Sequence, residues 1–279
     1  MAAVNDLACT VLSDDHAEHP FFGEHGFALA IRFGGRSILF DTGQGAFVKN
    51  AALAGVDIES FSACVISHGH YDHTGGIAEL LGRNSHIHVW AHRDVCEPHY
   101  RDADGAAKNL SVPDSDCRAL MKIPAHRLHL VSASASIAPG AGIVCPILRT
   151  HPLEDTGGRF FRDLKLTQPD PIDDELALWI RHEKGLVIVT GCCHAGFINT
   201  CEAVKKETGI DRVHAVIGGL HLQSAADERI EATCDYIAQE GMSSVVPCHC
   251  TGLEAVEKMR ARLGGVVRNA RCGERFDVG

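Results

Sequence analysis

The 279-residue chain has no surplus of positive charge: 26 Lys and Arg stand against 36 Asp and Glu, a formal net charge of −10. That balance excludes a general nucleic-acid surface, although a local cationic pocket for a small phosphorylated substrate can sit inside an acidic protein. No window approaches the roughly 20 apolar residues needed to span a bilayer. The opening residues, Met1-Ala2-Ala3-Val4-Asn5-Asp6, bring an acid where a secretory signal carries its basic region. The chain also lacks the paired CxxC spacing of a zinc ribbon. Its 12 cysteines do not space out as a disulfide framework for a chain of this length, and most read as small buried hydrophobes. A reducing cytoplasm is the expected compartment.

What is present is ordinary for a globular protein, with 45% apolar and 22% charged residues. Apolar runs predict strands at 7–12, 26–33, 37–41, 63–67, 86–91, 128–132, 142–148, 176–181, 186–190, 213–217 and 245–246. Helices are expected at about 46–54, 75–81, 197–208, 225–240 and 253–263. Residues 93–130 lack clear periodicity and read as an irregular insertion with some helix, of the kind that forms a lid or substrate wall. No low-complexity linker divides the chain, so 1–279 reads as one domain with two similar halves.

Eighteen histidines are many, and four groups of side chains in one short run stand out: His68-Gly69-His70-Tyr71-Asp72-His73. Three imidazoles and a carboxylate following the apolar stretch Ala63–Ile66 suit zinc, with iron or manganese as alternatives. His68 and His70 flank a glycine, so in extended chain they point the same way. Asp72 and His73 can then face a second ion, two metals roughly 3.5–4 Å apart being able to share a hydroxide. One such run cannot fill two coordination shells. The further candidates are Cys192, His194, His221 and His249, all at strand ends. Asp41 ends an earlier strand and is better placed to orient a histidine than to bind metal.

These residues resemble the metallo-β-lactamase superfamily. The carriers are Leu39-Phe40-Asp41-Thr42-Gly43, Ser67–Gly76, Thr190-Gly191-Cys192 and His249. The resemblance implies an α/β (α+β) four-layer αβ/βα sandwich, with two mixed sheets face to face, helices outside and a metal site along one edge. Glu24-His25-Gly26, Gly191–Gly196, Ile217–Leu222 and His249-Cys250-Thr251-Gly252 resemble a narrower branch. That branch includes a dihydropterin–ribofuranosylaminobenzene phosphate synthase, which joins a pterin methyl diphosphate to an aromatic amine and releases diphosphate. Two departures are visible. The superfamily's usual histidine on the loop before the 176–190 hairpin is replaced by Asp173, Asp174 and Glu175, and its usual bridging aspartate is Cys192. The branch pattern implies that His194 or His221 supplies the missing nitrogen.

The expected ligands are therefore His68, His70, Asp72, His73, Cys192, His194 and His249, around one or two zinc ions. The leading expectation is a metal-dependent hydrolase acting through a hydroxide held by the metal on a small phosphorylated substrate. Asp72 would help to aim the hydroxide, and His221 or His25 would protonate the leaving group. The alternative is a transferase of the pterin synthase kind, with Arg149, Lys108 or Arg159 holding a phosphate. A non-hydrolytic redox or sensor protein is the third reading. The expected partner is a small-molecule substrate, not nucleic acid or membrane.

Overall fold

The computed structural model describes residues 3–279. Most apolar runs pair into two sheets. The first has the spatial order β16 (Arg275–Asp277), β1 (Ala8–Ser13), β2 (Ala28–Phe33), β3 (Arg36–Phe40), β4 (Ala63–Val65), β5 (His88–His92), β8 (Leu128–Val131). The second runs β15 (Ser244–Cys248), β14 (Val213–Gly219), β13 (Gly185–Thr190), β12 (Ala177–His182), β10 (Ala141–Val144), β9 (Ala135–Ala138). A small third sheet joins β11 (Phe160–Phe161), β6 (Tyr100–Ala103) and β7 (Ala106–Asn109). The helices are α1 (Ala46–Ala54), α2 (Tyr71–Thr74), α3 (Ile77–Arg83), α4 (Asp114–Leu120), α5 (Phe197–Thr208), α6 (Asp227–Glu240) and α7 (Leu253–Leu263).

The core explains why the central strands read as continuous apolar runs. Leu29, Ile31 and Phe33 of β2 pack with Leu178, Ile180, Val187 and Val189 of the second sheet. Their neighbours Ala28 and Ala30 face Phe47, Val48 and Ala51 of α1. On the far side, Leu186 and Ile188 pack against Phe197, Val204 and Ile237 of α5 and α6. Strands buried on both faces lose the polar alternation of a half-exposed strand. The result is helix, sheet, sheet, helix, the four-layer arrangement expected.

β3, β4, β5 and β8 run parallel, as do β13, β14 and β15. Their carboxyl ends carry Asp41, His68, Cys192, His221 and His249. The outer edge of parallel strand ends is where an open α/β sheet forms its crevice. Among the described residues, no helix is long and apolar enough to cross a membrane.

The 93–130 segment differs from its expectation. It is more regular, holding the β6–β7 hairpin and α4, and it pairs with β11 from a distant stretch. Its short strands alternate too weakly to read, because one face of the hairpin covers a cleft instead of a core. A disulfide, Cys96–Cys117, with Cα atoms 5.9 Å apart, also departs from the cysteine reading. Cys117 lies on α4, so tertiary approach within the insertion makes the pair, which spacing alone does not signal. The remaining cysteines are free and buried.

Candidate metal centre

β4 delivers the chain to Ser67, where Asp41 fixes the turn that follows. Asp41 Oδ1 accepts the Ser67 N–H at 2.7 Å and its Oδ2 accepts the Ser67 hydroxyl at 2.7 Å. The same Oδ2 lies 2.8 Å from His73 Nδ1, leaving the other ring nitrogen aimed inward, 3.2 Å from Cys192 Sγ. Asp174 accepts the Gly69 N–H at 2.7 Å. A Cβ at Gly69 would meet the Val95 carbonyl oxygen at 2.3 Å, so only glycine lets the His-Gly-His loop lie against its wall. His68 Nε2 and His70 Nδ1 are 3.0 Å apart.

The second half closes on this loop from the ends of β13, β14 and β15. Glu175 accepts the N–H groups of His194 and Ala195, each at 2.6 Å, and so pins the turn after Cys192. His194 Nδ1 donates to the Thr156 carbonyl at 2.9 Å, and its ring lies 5.0 Å from His68 and 5.1 Å from His70. His249 Nδ1 is held at 2.6 Å by Asp15 Oδ1, and its backbone N–H donates to Asp14 at 2.7 Å. Its Nε2 lies 3.3 Å from Asp72 Oδ2 but not in hydrogen-bond alignment. Asp41, Cys193, His221 and His249 all adopt positive φ, between 47° and 65°. Such backbone strain persists where surrounding structure over-determines it, often at functional sites.

Among the described residues, four compact donor groups result, each with ligand atoms within 4.8 Å of one another: His68, Cys192 and His194; His73, Cys192 and His249; Cys192, His221 and Cys250; and Asp15, His25 and His249. Cys192 belongs to the first three. His70 borders the first, and Asp72 the second, with its Oδ2 3.8 Å from His73 Nε2. The inward nitrogens of His70, His194 and His249 are buried and have no hydrogen-bond partner among the described residues. A buried nitrogen without a partner costs free energy unless something occupies its lone pair. Burial, then the neighbouring imidazoles, push His68 and His194 well below the usual histidine range; burial likewise takes His70 down to about 3. Neutral imidazoles are the ligand form. Burial pushes the Cys192 thiol up, and a coordinated cation deprotonates such a thiol outright. Orphaned nitrogens, a central sulfur and a carboxylate are a donor set that fits a borderline-soft cation.

A model of the metallo-β-lactamase superfamily matches residues 22–203. The chain belongs to that superfamily. It is 30% identical over 271 residues to the 7,8-dihydropterin-6-methyl-4-(β-D-ribofuranosyl)-aminobenzene-5′-phosphate synthase of Methanocaldococcus jannaschii, covering 90% of each chain. A crystal structure of a metal-dependent hydrolase of the β-lactamase superfamily superposes with a TM-score of 0.82 at 28% identity, over 98% of this chain and 99% of that one. The metallo-β-lactamase-fold protein YhfI of Bacillus subtilis follows at a TM-score of 0.61 and 15% identity, covering 98% and 99%, a likeness of fold alone.

Within this metallo-β-lactamase fold, His194 and His221 both come within donor range of Cys192, in different groups. His194 sits beside His68 and His70. His221, its ring 4.4 Å from His194, lines the cleft and has an unpartnered Nδ1, while its Nε2 contacts the Gly157 carbonyl at 3.2 Å. His25 also lines the cleft, with Nδ1 3.1 Å from Asp15 and Nε2 3.3 Å from Asp72. Lys108 is at the cleft wall. Arg149 is not brought there. Its guanidinium bonds Asp173 at 3.1 Å and the carbonyls of Pro171 and Ile172, tying down the loop that leads to Asp174 and Glu175. Arg159 is paired with Asp102 at 2.8 Å.

Sequence reasoning missed Asp14 and Asp15, which follow β1 as Asp41 follows β3; the strand-end rule applied to every acid would have found them. It also missed Arg101 and Phe160, which line the same cleft, and gave no role to Cys250, which lines it too. His99, bonded to Asp170 at 2.5 Å and stacked edge-on to His70 at 5.1 Å, carried no readable signal.

Proposed function

We propose that the protein is a transferase that holds two metal ions, zinc by the chemistry of its donors, and joins a pterin-like methyl diphosphate to an aromatic amine. His68, His70 and His194 would hold one ion, Asp72, His73 and His249 the other, with Cys192 between them. When bound, the metals would supply positive charge to the oxygens of the departing diphosphate.

The chain's own residues do the rest. The C–O bond of the methyl diphosphate breaks, a C–N bond forms, and diphosphate leaves. The amine's proton would pass to His221, which lines the cleft and keeps a nitrogen, Nδ1, without a hydrogen-bond partner among the described residues. Asp15 and Asp72 hold His25 above the usual histidine range, against the pull of burial, so it can protonate the diphosphate or bind it as a cation. Asp41 keeps the His73 ring fixed.

The observation that carries the transferase reading is the apolar cover over the donors. Phe160 sets its ring 5.3 Å from His194 and 5.8 Å from His70, beside Leu110 and Tyr71. Transfer to an amine in place of water requires water to be excluded from the reacting carbon, and a flat aromatic acceptor fits against a phenyl face. The 30% identity to a synthase over most of both chains supports the same reading. A second reading, hydrolysis of a phosphorylated substrate, is favoured by the likeness to the metal-dependent hydrolase. It needs the same residues, with water in the amine's place.

One experiment separates them. Zinc- or manganese-loaded protein is given a pterin methyl diphosphate with and without an aromatic amine, and products are resolved by mass spectrometry. A coupled amine product supports transfer. Release of pterin alcohol at the same rate with or without amine supports hydrolysis. No turnover of the diphosphate at all overturns the substrate class.

A further inference from the structure

The small sheet over the cleft carries a row of side chains whose charge makes no sense as packing. In its register, Phe160 of β11 faces Arg101 of β6, and Arg101 faces Lys108 of β7. Directly opposed residues of antiparallel strands project from the same face. All three line the cleft that holds His70, His194 and His249. Phe160 is buried over the donor nitrogens, while Arg101 and Lys108 are exposed. The row thus leads from the metal-capable floor outward to two cations at the mouth.

Like charges placed directly opposite each other on a hairpin are destabilising. Elsewhere on this sheet, cations are neutralised. Arg159 pairs with Asp102 at 2.8 Å and Arg162 with Asp170 at 2.8 Å. Arg101 and Lys108 have no ion pair among the described residues, in a chain with ten more acids than bases. On this small sheet, the cations left unpaired among the described residues are those that line the cleft.

We propose that Arg101 and Lys108 form an anion subsite that binds a phosphoryl group of the substrate, at the mouth and away from the reacting atoms. Arginine offers a planar donor fork to phosphate oxygens and lysine a point charge. The cleft walls concentrate their field on an incoming anion despite the protein's negative net charge. The subsite deepens the proposed function, resting on that reading for its role in turnover. It would hold the phosphomonoester of an acceptor or donor while the diphosphate lies on the floor.

The test uses the metal-stripped full chain and inorganic phosphate, so it does not depend on which reaction the loaded protein performs. Calorimetric titration of the wild type is expected to show phosphate binding that weakens with added salt. Arg101→Gln and Lys108→Gln should each weaken it about tenfold, the size of a lost charge-assisted bond, while Arg101→Lys restores part of it. Thermal melts provide the second measurement. Without phosphate, either glutamine variant should melt no lower than wild type, since a repulsion has been removed. Phosphate should raise the melting temperature of the wild type and leave the double variant unmoved. Wild-type protein that ignores phosphate, or a double variant that binds it equally well, overturns the subsite. Failure of the amine-transfer assay with phosphate binding intact would fall on the reaction alone.

Discussion

His68, His73 and Cys192 sit at or near zero exposure at the ends of strands packed on both faces, whereas Arg101 and Lys108 stand in solvent across the same cleft. The floor rests on the core shared by the two large sheets. The cover has, among the described residues, the small cluster Leu110, Phe160 and Ile172 beneath it, with Tyr71 alongside. Chemistry that needs donors held to a fraction of an ångström belongs on the rigid side. Recognition, which must change with the substrate, belongs on the side where replacing a residue disturbs little core.

Substitutions on the floor should therefore cost activity through metal, and substitutions in the cover through substrate. The largest effect is expected from His68→Ala. It removes a donor from the group containing Cys192 and His194, and should lower activity by more than about 100-fold, beyond what removal of a supporting partner usually costs. Metal content by mass spectrometry should fall with it. Full metal and full rate in this variant would remove His68 from the centre. Asp41→Asn is the next step down. Asp41 touches Ser67 and His73 but reaches no cleft atom, so about a 10- to 100-fold loss of metal affinity is expected, measured by competition with a chelating dye. An unchanged affinity would make Asp41 a purely structural anchor of the turn.

The sequence was readable where the chemistry is compact or repeats the strand-end rule. His68-Gly69-His70-Tyr71-Asp72-His73 declares itself because its ligands are neighbours in the chain, and α1, α5 and α7 start and stop where their apolar periodicity does. His194 was expected as a ligand and His221 as a proton donor, but the geometry of neither could be read, because the placement of His194 depends on a left-handed turn at Cys193 and on Glu175 reaching the N–H groups after it. The hairpin was not readable, because Arg101 and Lys108 become neighbours only through its register, and Phe160 joins them from some fifty residues away. Arg149 was misread for the converse reason: a cation beside a candidate motif found carbonyls and Asp173 before it found the cleft.

The boundary between floor and cover can be loosened at His99, which precedes β6 and touches Asp170 at 2.5 Å and Asp174 at 3.5 Å. Burial opposes its charge, yet the two carboxylates raise it to about 9. A raised histidine favours folding fully below its unfolded value of 6.5 and loses that contribution as pH rises through about 9. Asp170→Asn should lower stability by about 3 kcal/mol near neutral pH, since it leaves His99 with Asp174 alone and takes the buried carboxylate from Arg162. Chemical denaturation should also show a flatter dependence on pH between 6.5 and 9 than the wild type. An equal slope in both proteins would mean that Asp174 alone holds the proton.

The smallest expected effect discriminates most finely between the two sides. Phe160→Leu keeps an apolar side chain of similar reach and removes the ring that lies edge-on to His194. Its cost to stability should stay below about 1.5 kcal/mol, and metal content should match the wild type because no donor is touched. If the cover serves to keep water from the reacting carbon, the thinner side chain should raise the share of alcohol relative to amine-coupled product, by a few-fold at most, with total diphosphate release little changed. That partition is measured in a single reaction, so errors in protein concentration or metal loading cancel. An unaltered ratio would mean that water is excluded by the floor itself, and the division of labour drawn between the buried strand ends and the hairpin would have to place selectivity for the nucleophile on the buried side.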